Sequence, residues 1–204
     1  MRYFFCLLLF KFVYADGISS LKLFLKQKKI FYAHFVQDVY SKHGVSRSLG
    51  KVIILRPNRF IWEYYNTDNI GQKILSDGHN VYMVDNELEQ VMYSKINNVL
   101  GSSPALILSG SDDFARFYFV KNINLNDSNL YWVSLLPKLV NENNGFQNVE
   151  IGFDKINNYV VKMNFIDSFG TKSTITFNNQ VLKNNIDISQ FKFVKPKGYD
   201  LISN

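Results

Sequence analysis

The chain has 204 residues, of which 16% are aromatic, and a formal charge of +6 at pH 7. That length supports one domain with a sizeable core. The basic residues are dispersed, with Lys26, Lys28 and Lys29 as the tightest cluster, which fits a solvated surface better than a nucleic-acid interface.

The first fifteen residues, MRYFFCLLLFKFVYA, have a positive start (Arg2), an apolar run from Tyr3 to Phe10 and a Val13-Tyr14-Ala15 cleavage signature. They are expected to be a secretory signal peptide cut between Ala15 and Asp16, although Lys11 interrupts the apolar run. An uncleaved anchor is the alternative, but the run is too short to cross a hydrocarbon core of about 30 Å as a helix. The single cysteine, Cys6, lies in this segment. Residues 16–204, the expected single domain, therefore carry no thiol, which excludes disulfides, cysteine nucleophiles and zinc–thiolate sites. Cys6 also lacks the setting of a lipidated cysteine, since it precedes the main apolar run beside Phe4 and Phe5.

DGISSLKLFLKQKK (16–29) reads as an amphipathic helix, with Ile18, Leu21 and Leu25 on one face and Phe24 beside them. Asp16 or Ser19 is placed to cap it, and lysines gather where the helix dipole favours cations. IFYAHFVQDVY, SRSLGKVIILRP and NRFIWEYY follow as three strands. GQKILSDGHNVYMVD reads as two strands around a tight turn at Ser76-Asp77-Gly78, and EQVMYSKI as another strand. Ser103 and Pro104 then open a short helix that Gly110 ends, with a second helix expected near Asp112 to Phe117. NLYWVSLLP, FQNVEIGFD, YVVKMNFID, KSTITFNN and FKFV complete the strands, joined at Asn-, Asp- and Gly-rich turns. About ten or eleven strands with short connections imply an antiparallel sheet that curls toward a barrel, with the helices over its concave side.

No catalytic constellation is evident. His34 lies in a strand, His43 and His79 sit in turns, and no pair has metal-ligand spacing. Ser76 lacks a glycine-flanked elbow, and Asp112-Asp113 reads as a helix cap more readily than as a calcium site. An apolar surface in a curled sheet suits a binder of greasy ligands, although a dense aromatic core would give the same composition.

VIILRPNRFIWEYY (52–65) adds an arginine to this apolar setting. Alternation puts Val52, Ile54 and Arg56 on one face and Lys51, Ile53 and Leu55 on the other, and both faces carry apolar residues. If the Val52 face is the concave one, Arg56 enters a greasy space. An unpartnered guanidinium there costs several kcal/mol or more. The free carbonyls at the C-terminus of a covering helix would accept from it, with Pro57 ending the strand. The alternative is that Arg56 snorkels to the rim.

GKVIILRPNRFIWEYY (50–65), QKILSDGHNVYMVDNELEQV (72–91), PALILSG (104–110) and FKFVKPKG (191–198) together resemble the periplasmic outer-membrane lipoprotein carrier family, LolA. FYAHFVQ (31–37) resembles its first strand, and the match runs in order over nearly all of residues 16–204. The resemblance implies a mainly β fold with lid helices: an incomplete, half-open antiparallel β-barrel enclosing an apolar cavity that the short helices cover. It implies a periplasmic, non-enzymatic, monomeric chaperone without cofactor, metal or nucleic acid. Its partners would be acylated lipoproteins, the inner-membrane ABC transporter that releases them and an outer-membrane acceptor lipoprotein. The acyl cavity and its mouth would fall to Phe35, Val52, Ile54, Phe60, Trp62, Leu106 and Leu108, and Arg56 would latch the lid. A periplasmic acceptor or sensor of the same fold is the alternative.

Overall fold

The computed structural model describes residues 16–28, 30–66, 69–99, 103–111, 113–138 and 145–203. The signal-peptide reading, Lys29 and Asp112 lie outside them. Helix α1 (Gly17–Lys26) begins where Asp16 accepts from the Ser19 amide at 2.7 Å, and it buries Leu21, Phe24 and Leu25. Helix α2 (Pro104–Ser109) starts with proline at a position needing no amide donor, and buries Ala105 through Ser109. The Ser103 side chain, expected as its cap, makes no capping hydrogen bond.

The strands are β1 (Ile30–Ser41), β2 (Gly44–Leu55), β3 (Arg59–Asn66), β4 (Asn69–Asp77), β5 (Asn80–Asp85) and β6 (Gln90–Lys95) before α2. After it come β7 (Tyr118–Ile123), β8 (Leu130–Pro137), β9 (Phe146–Asp154), β10 (Val160–Asp167), β11 (Lys172–Lys183) and β12 (Asp200–Ser203). Among the described residues they form one 12-stranded sheet in the order β12-β6-β5-β4-β3-β2-β1-β11-β10-β9-β8-β7. The sheet is not closed, since β7 and β12 stand at its two ends.

Both faces of the central strands are covered, which is why alternation alone does not say which is inside. Val52, Ile54, Phe60 and Trp62 face the helices and join the main core cluster. Ile53, Ile61 and Leu75 face the convex side, where Phe191 covers them. Also on the β2–β4 ladder, buried Glu63 is flanked by Lys51 at 2.8 Å and Lys73 at 3.4 Å. Helix α1 packs on β7, β8 and β9, and α2 on β2 and β3, so the two helices cover different parts of the concave side. Gly50 pairs with Phe35, and a side chain there would overlap the Phe35 ring and the Glu63 carbonyl.

Three expectations are corrected. The helix expected near residue 112 is only a 3₁₀ turn, Phe114–Arg116, and the chain then enters β7, an unanticipated strand. FKFV is not a strand: it leaves a 3₁₀ turn (Ile188–Phe191), and Phe191 and Phe193 pack on the convex face. The last strand is β12, and it runs parallel to β6, so the sheet is not wholly antiparallel.

Candidate functional site

The end of α2 is where the sheet grips the helices. A helix leaves its last four carbonyls without internal partners, and here each accepts a hydrogen bond. Leu106 O accepts from the Ser109 hydroxyl at 3.3 Å, and Ile107 O from the Gly110 amide at 3.4 Å. The other two acceptances come from the turn after β2. Arg56 Nε donates to Leu108 O at 3.0 Å, and the Asn58 amide donates to Ser109 O at 2.8 Å.

That turn is itself fixed. The Arg56–Pro57 peptide is cis, and Asn58 has φ of 64°, a conformation asparagine tolerates better than most residues. Ser76, fully buried, donates from its hydroxyl to Asn58 O at 2.6 Å and accepts from the Gly78 amide at 3.2 Å. Asp77 accepts from the amides of His79 and Asn80, both at 2.8 Å. The Ser-Asp-Gly turn thus braces the Arg56 turn from the neighbouring hairpin.

The Arg56 guanidinium also lies 4.1 Å from the centre of the Phe24 ring on α1. One side chain from the end of β2 therefore touches both helices. Its Nη1 and Nη2 are buried without an acceptor among the described residues. Burial pulls its pKa down to about 10, so it remains charged at neutral pH.

The structure brings all seven expected cavity residues together. Phe35, Val52, Ile54, Phe60, Trp62, Leu106 and Leu108 are each at most 3% exposed and belong to one cluster with Leu21, Phe24 and Leu25 of α1. Trp62 packs at 4.6 Å from the Phe35 ring and 6.1 Å from Phe177. In this closed form lid and sheet side chains pack together at these positions, and Phe60 and Trp62 lie inside that packing. Open space lies nearby, in a pocket of about 250 Å³ between α1, α2 and the 3₁₀ turn. Leu21, Leu25, Ile107, Phe114 and Leu135 line it, and of the seven only Leu106 reaches it. It is smaller than the roughly 300–1,000 Å³ of typical ligand sites.

Sequence reasoning missed Phe24, Asn58 and Ser76 as parts of this assembly. Two of them had a signal: Ser76 opens a tight turn, and Phe24 stands beside the apolar face of α1. The start of α1 is tied down as well: Asn122 on β7 donates to Asp16 at 2.9 Å and accepts from the Ile18 amide at 2.9 Å. The Ser19 amide, above all, holds the Asp16 carboxyl below its ordinary 3.8. Asp16→Ala is expected to cost about 1 kcal/mol through loss of the cap. A depressed carboxyl stabilises above its unfolded pKa and loses that contribution as pH falls through the folded value. The unfolding midpoints of wild type and variant should therefore differ at neutral pH and converge below pH 3.8, as chemical denaturation across pH would show.

Residues 26–194 match the model of the family described as outer membrane lipoprotein carrier protein LolA. The chain belongs to the LolA family. The outer-membrane lipoprotein carrier protein of Methylobacillus flagellatus is 35% identical over 192 residues, covering 93% of this chain and 90% of that protein. The one from Chromobacterium violaceum is 33% identical over 189 residues, covering 93% and 88%. Among solved structures, an uncharacterized conserved protein from Thermus thermophilus aligns with a TM-score of 0.55 at 12% identity, over 92% of this chain and 96% of that one. A Vibrio parahaemolyticus domain assigned to outer membrane lipoprotein sorting aligns with a TM-score of 0.52 at 12% identity, over 86% and 95%. At such identities the two structures share the fold and nothing finer.

Proposed function

We propose that this protein is a periplasmic carrier that shelters the acyl chains of lipoproteins, taking them from an inner-membrane ABC transporter and releasing them at the outer membrane. The observation that carries the proposal is the Arg56–Asn58 clasp on the α2 carbonyls, set over an entirely apolar cluster. The names of the LolA-family relatives support the same reading.

Acyl chains exposed to water cost about 0.8 kcal/mol per CH₂. A soluble carrier must replace that contact with apolar protein surface and later give the chains up. In this reading the helices and the acyl chains compete for the concave face: Phe35, Val52, Ile54, Phe60 and Trp62 of the sheet meet either one, while Leu106 and Leu108 of α2 meet either the sheet or the acyl chains. Exchange of one apolar partner for another keeps the net free energy small. Arg56 adds a bias toward the empty, closed form. A hydrogen bond from a charged donor contributes about 1.5–3 kcal/mol, so the bond from Arg56 to Leu108 O biases the closed form by an amount that an acyl chain, at about 0.8 kcal/mol per CH₂, outweighs. Cargo then shifts a two-state equilibrium by its preference for the open form.

The test is purification of the full-length gene product from the periplasm, with mass spectrometry of whatever accompanies it. Proteins acylated on their N-terminal cysteine are expected. Recovery of the bare protein alone, under conditions that preserve a control carrier's cargo, would refute the reading.

A further inference from the structure

The free end of the sheet carries a surface that the clasp does not use. Phe117, Phe119 and Leu136 are 44%, 62% and 44% exposed. Phe119 and Leu136 are direct cross-strand partners on β7 and β8. Cations stand among them. Lys138 Nζ lies 5.4 Å from the centre of the Phe119 ring and donates to Ala115 O at 2.6 Å, while its amide donates to Phe117 O at 2.9 Å. The Arg116 guanidinium lies 5.6 Å from the Phe117 ring centre. Lys121, two residues beyond Phe119 on the same side of β7, adds a third exposed positive charge. Of the acidic groups around it, Asp113 lines the pocket, and Glu150, two strands away, is engaged by Asn148 and Asn164.

Arg116 and Phe117 also line the pocket between α1 and α2, so the surface is continuous with the pocket's rim. The composition fits a lipid interface: apolar tips enter the acyl boundary while cations stay at the level of the phosphates. Addition of a partner's strand along β7 fits less well, because α1 is tied to Asn122 on that strand through Asp16 and Ile18. We infer that the face formed by Arg116, Phe117, Phe119, Leu136 and Lys138 docks on an anionic phospholipid surface and sets the rim of the pocket against the headgroups. This docking stands apart from the carrier reading, because it concerns the protein without cargo.

The experiment is flotation of the purified protein with vesicles of phosphatidylcholine alone and of phosphatidylcholine mixed with phosphatidylglycerol. Binding to the mixed vesicles is expected, with far less to the neutral ones and a decline as salt rises. Phe119→Ser and Lys138→Glu should each weaken binding by about tenfold. Lys42→Glu, the same charge change in the exposed β1–β2 turn, should change it by about twofold at most, as expected for diffuse charge alone. Circular dichroism confirms that each variant is folded. Absence of flotation, equal binding to both vesicle types, or patch variants that bind like wild type would each overturn the inference. If vesicles are ignored and the patch variants instead lose capture by a detergent-solubilised inner-membrane transporter, the surface meets a protein and the membrane assignment is wrong.

Discussion

Arg56→Leu is expected to leave the protein folded and to slow release of bound lipoprotein by about tenfold, equivalent to about 1.4 kcal/mol. The two halves of that expectation have different causes. The fold survives, because the empty protein loses only the closure energy of about 1.4 kcal/mol, and leucine also removes a guanidinium whose Nη1 and Nη2 are buried without acceptors. The closed form alone loses the bond to Leu108 O and the contact with the Phe24 ring, so the equilibrium moves toward the open, loaded form. The readout is the rate at which labelled lipoprotein leaves the loaded protein for outer-membrane vesicles, beside a thermal unfolding curve. Arg56→Lys should not restore the wild-type rate, since an ammonium is a strongly hydrated point charge and lacks the planar fork. A wild-type release rate in Arg56→Leu, with the fold intact, would count against the latch.

Trp62→Ala is expected to cost about 3–5 kcal/mol of folding stability, as large-to-small substitutions do at well-packed sites. Trp62 is 1% exposed and touches the rings of Phe35 on β1, Tyr64 on its own strand and Phe177 on β11. Its loss would open space directly beneath the lid helices. Urea unfolding measures the cost, which for a domain this size is a substantial part of the total stability. A loss below about 1 kcal/mol would mean that neighbouring side chains collapse into the gap, and that the concave face is softer than its burial suggests. Phe60, fully buried in the same cluster, belongs with Trp62, so a charge placed there is expected to unfold the core before it could affect any mouth.

Much of this architecture was legible because alternation and turn chemistry are local. Strands β1 to β6 read directly from their apolar parity and from Ser76-Asp77-Gly78, and Asp16 read as a cap. Strand β7 did not. Its inward residues, Tyr118 and Val120, alternate with an exposed Phe119, so the apolar pattern runs straight through and hides the period. FKFV shows the reverse failure. Phe191 and the partly buried Phe193 both pack on the convex face, which mimics a strand's parity, but the segment pairs with no strand among the described residues.

The site divides along the same line. A guanidinium facing apolar surroundings demands acceptors, and a covering helix has carbonyls to offer. Donor and acceptor chemistry made the end of a covering helix one of two open readings for Arg56, the other being the rim, and the family resemblance favoured the helix. The contributions of Asn58 and Ser76 run through backbone atoms, and side-chain identity says little about those. Whether the concave face is hollow or filled depends on how far the helices settle, a tertiary property invisible to composition. Here they pack onto the face, and a pocket lies beside α2, between the helices.

If the protein carries acyl chains as proposed, cargo must break the clasp at the end of α2. The most direct test is amide hydrogen exchange at Asn58, whose N–H donates to Ser109 O at 2.8 Å, measured with and without a triacylated lipopeptide. Strong protection is expected in the empty protein and markedly faster exchange in the loaded one, together with loss of protection at the ends of α2. Equal protection of Asn58 in both states, with the lipopeptide demonstrably bound, would contradict it.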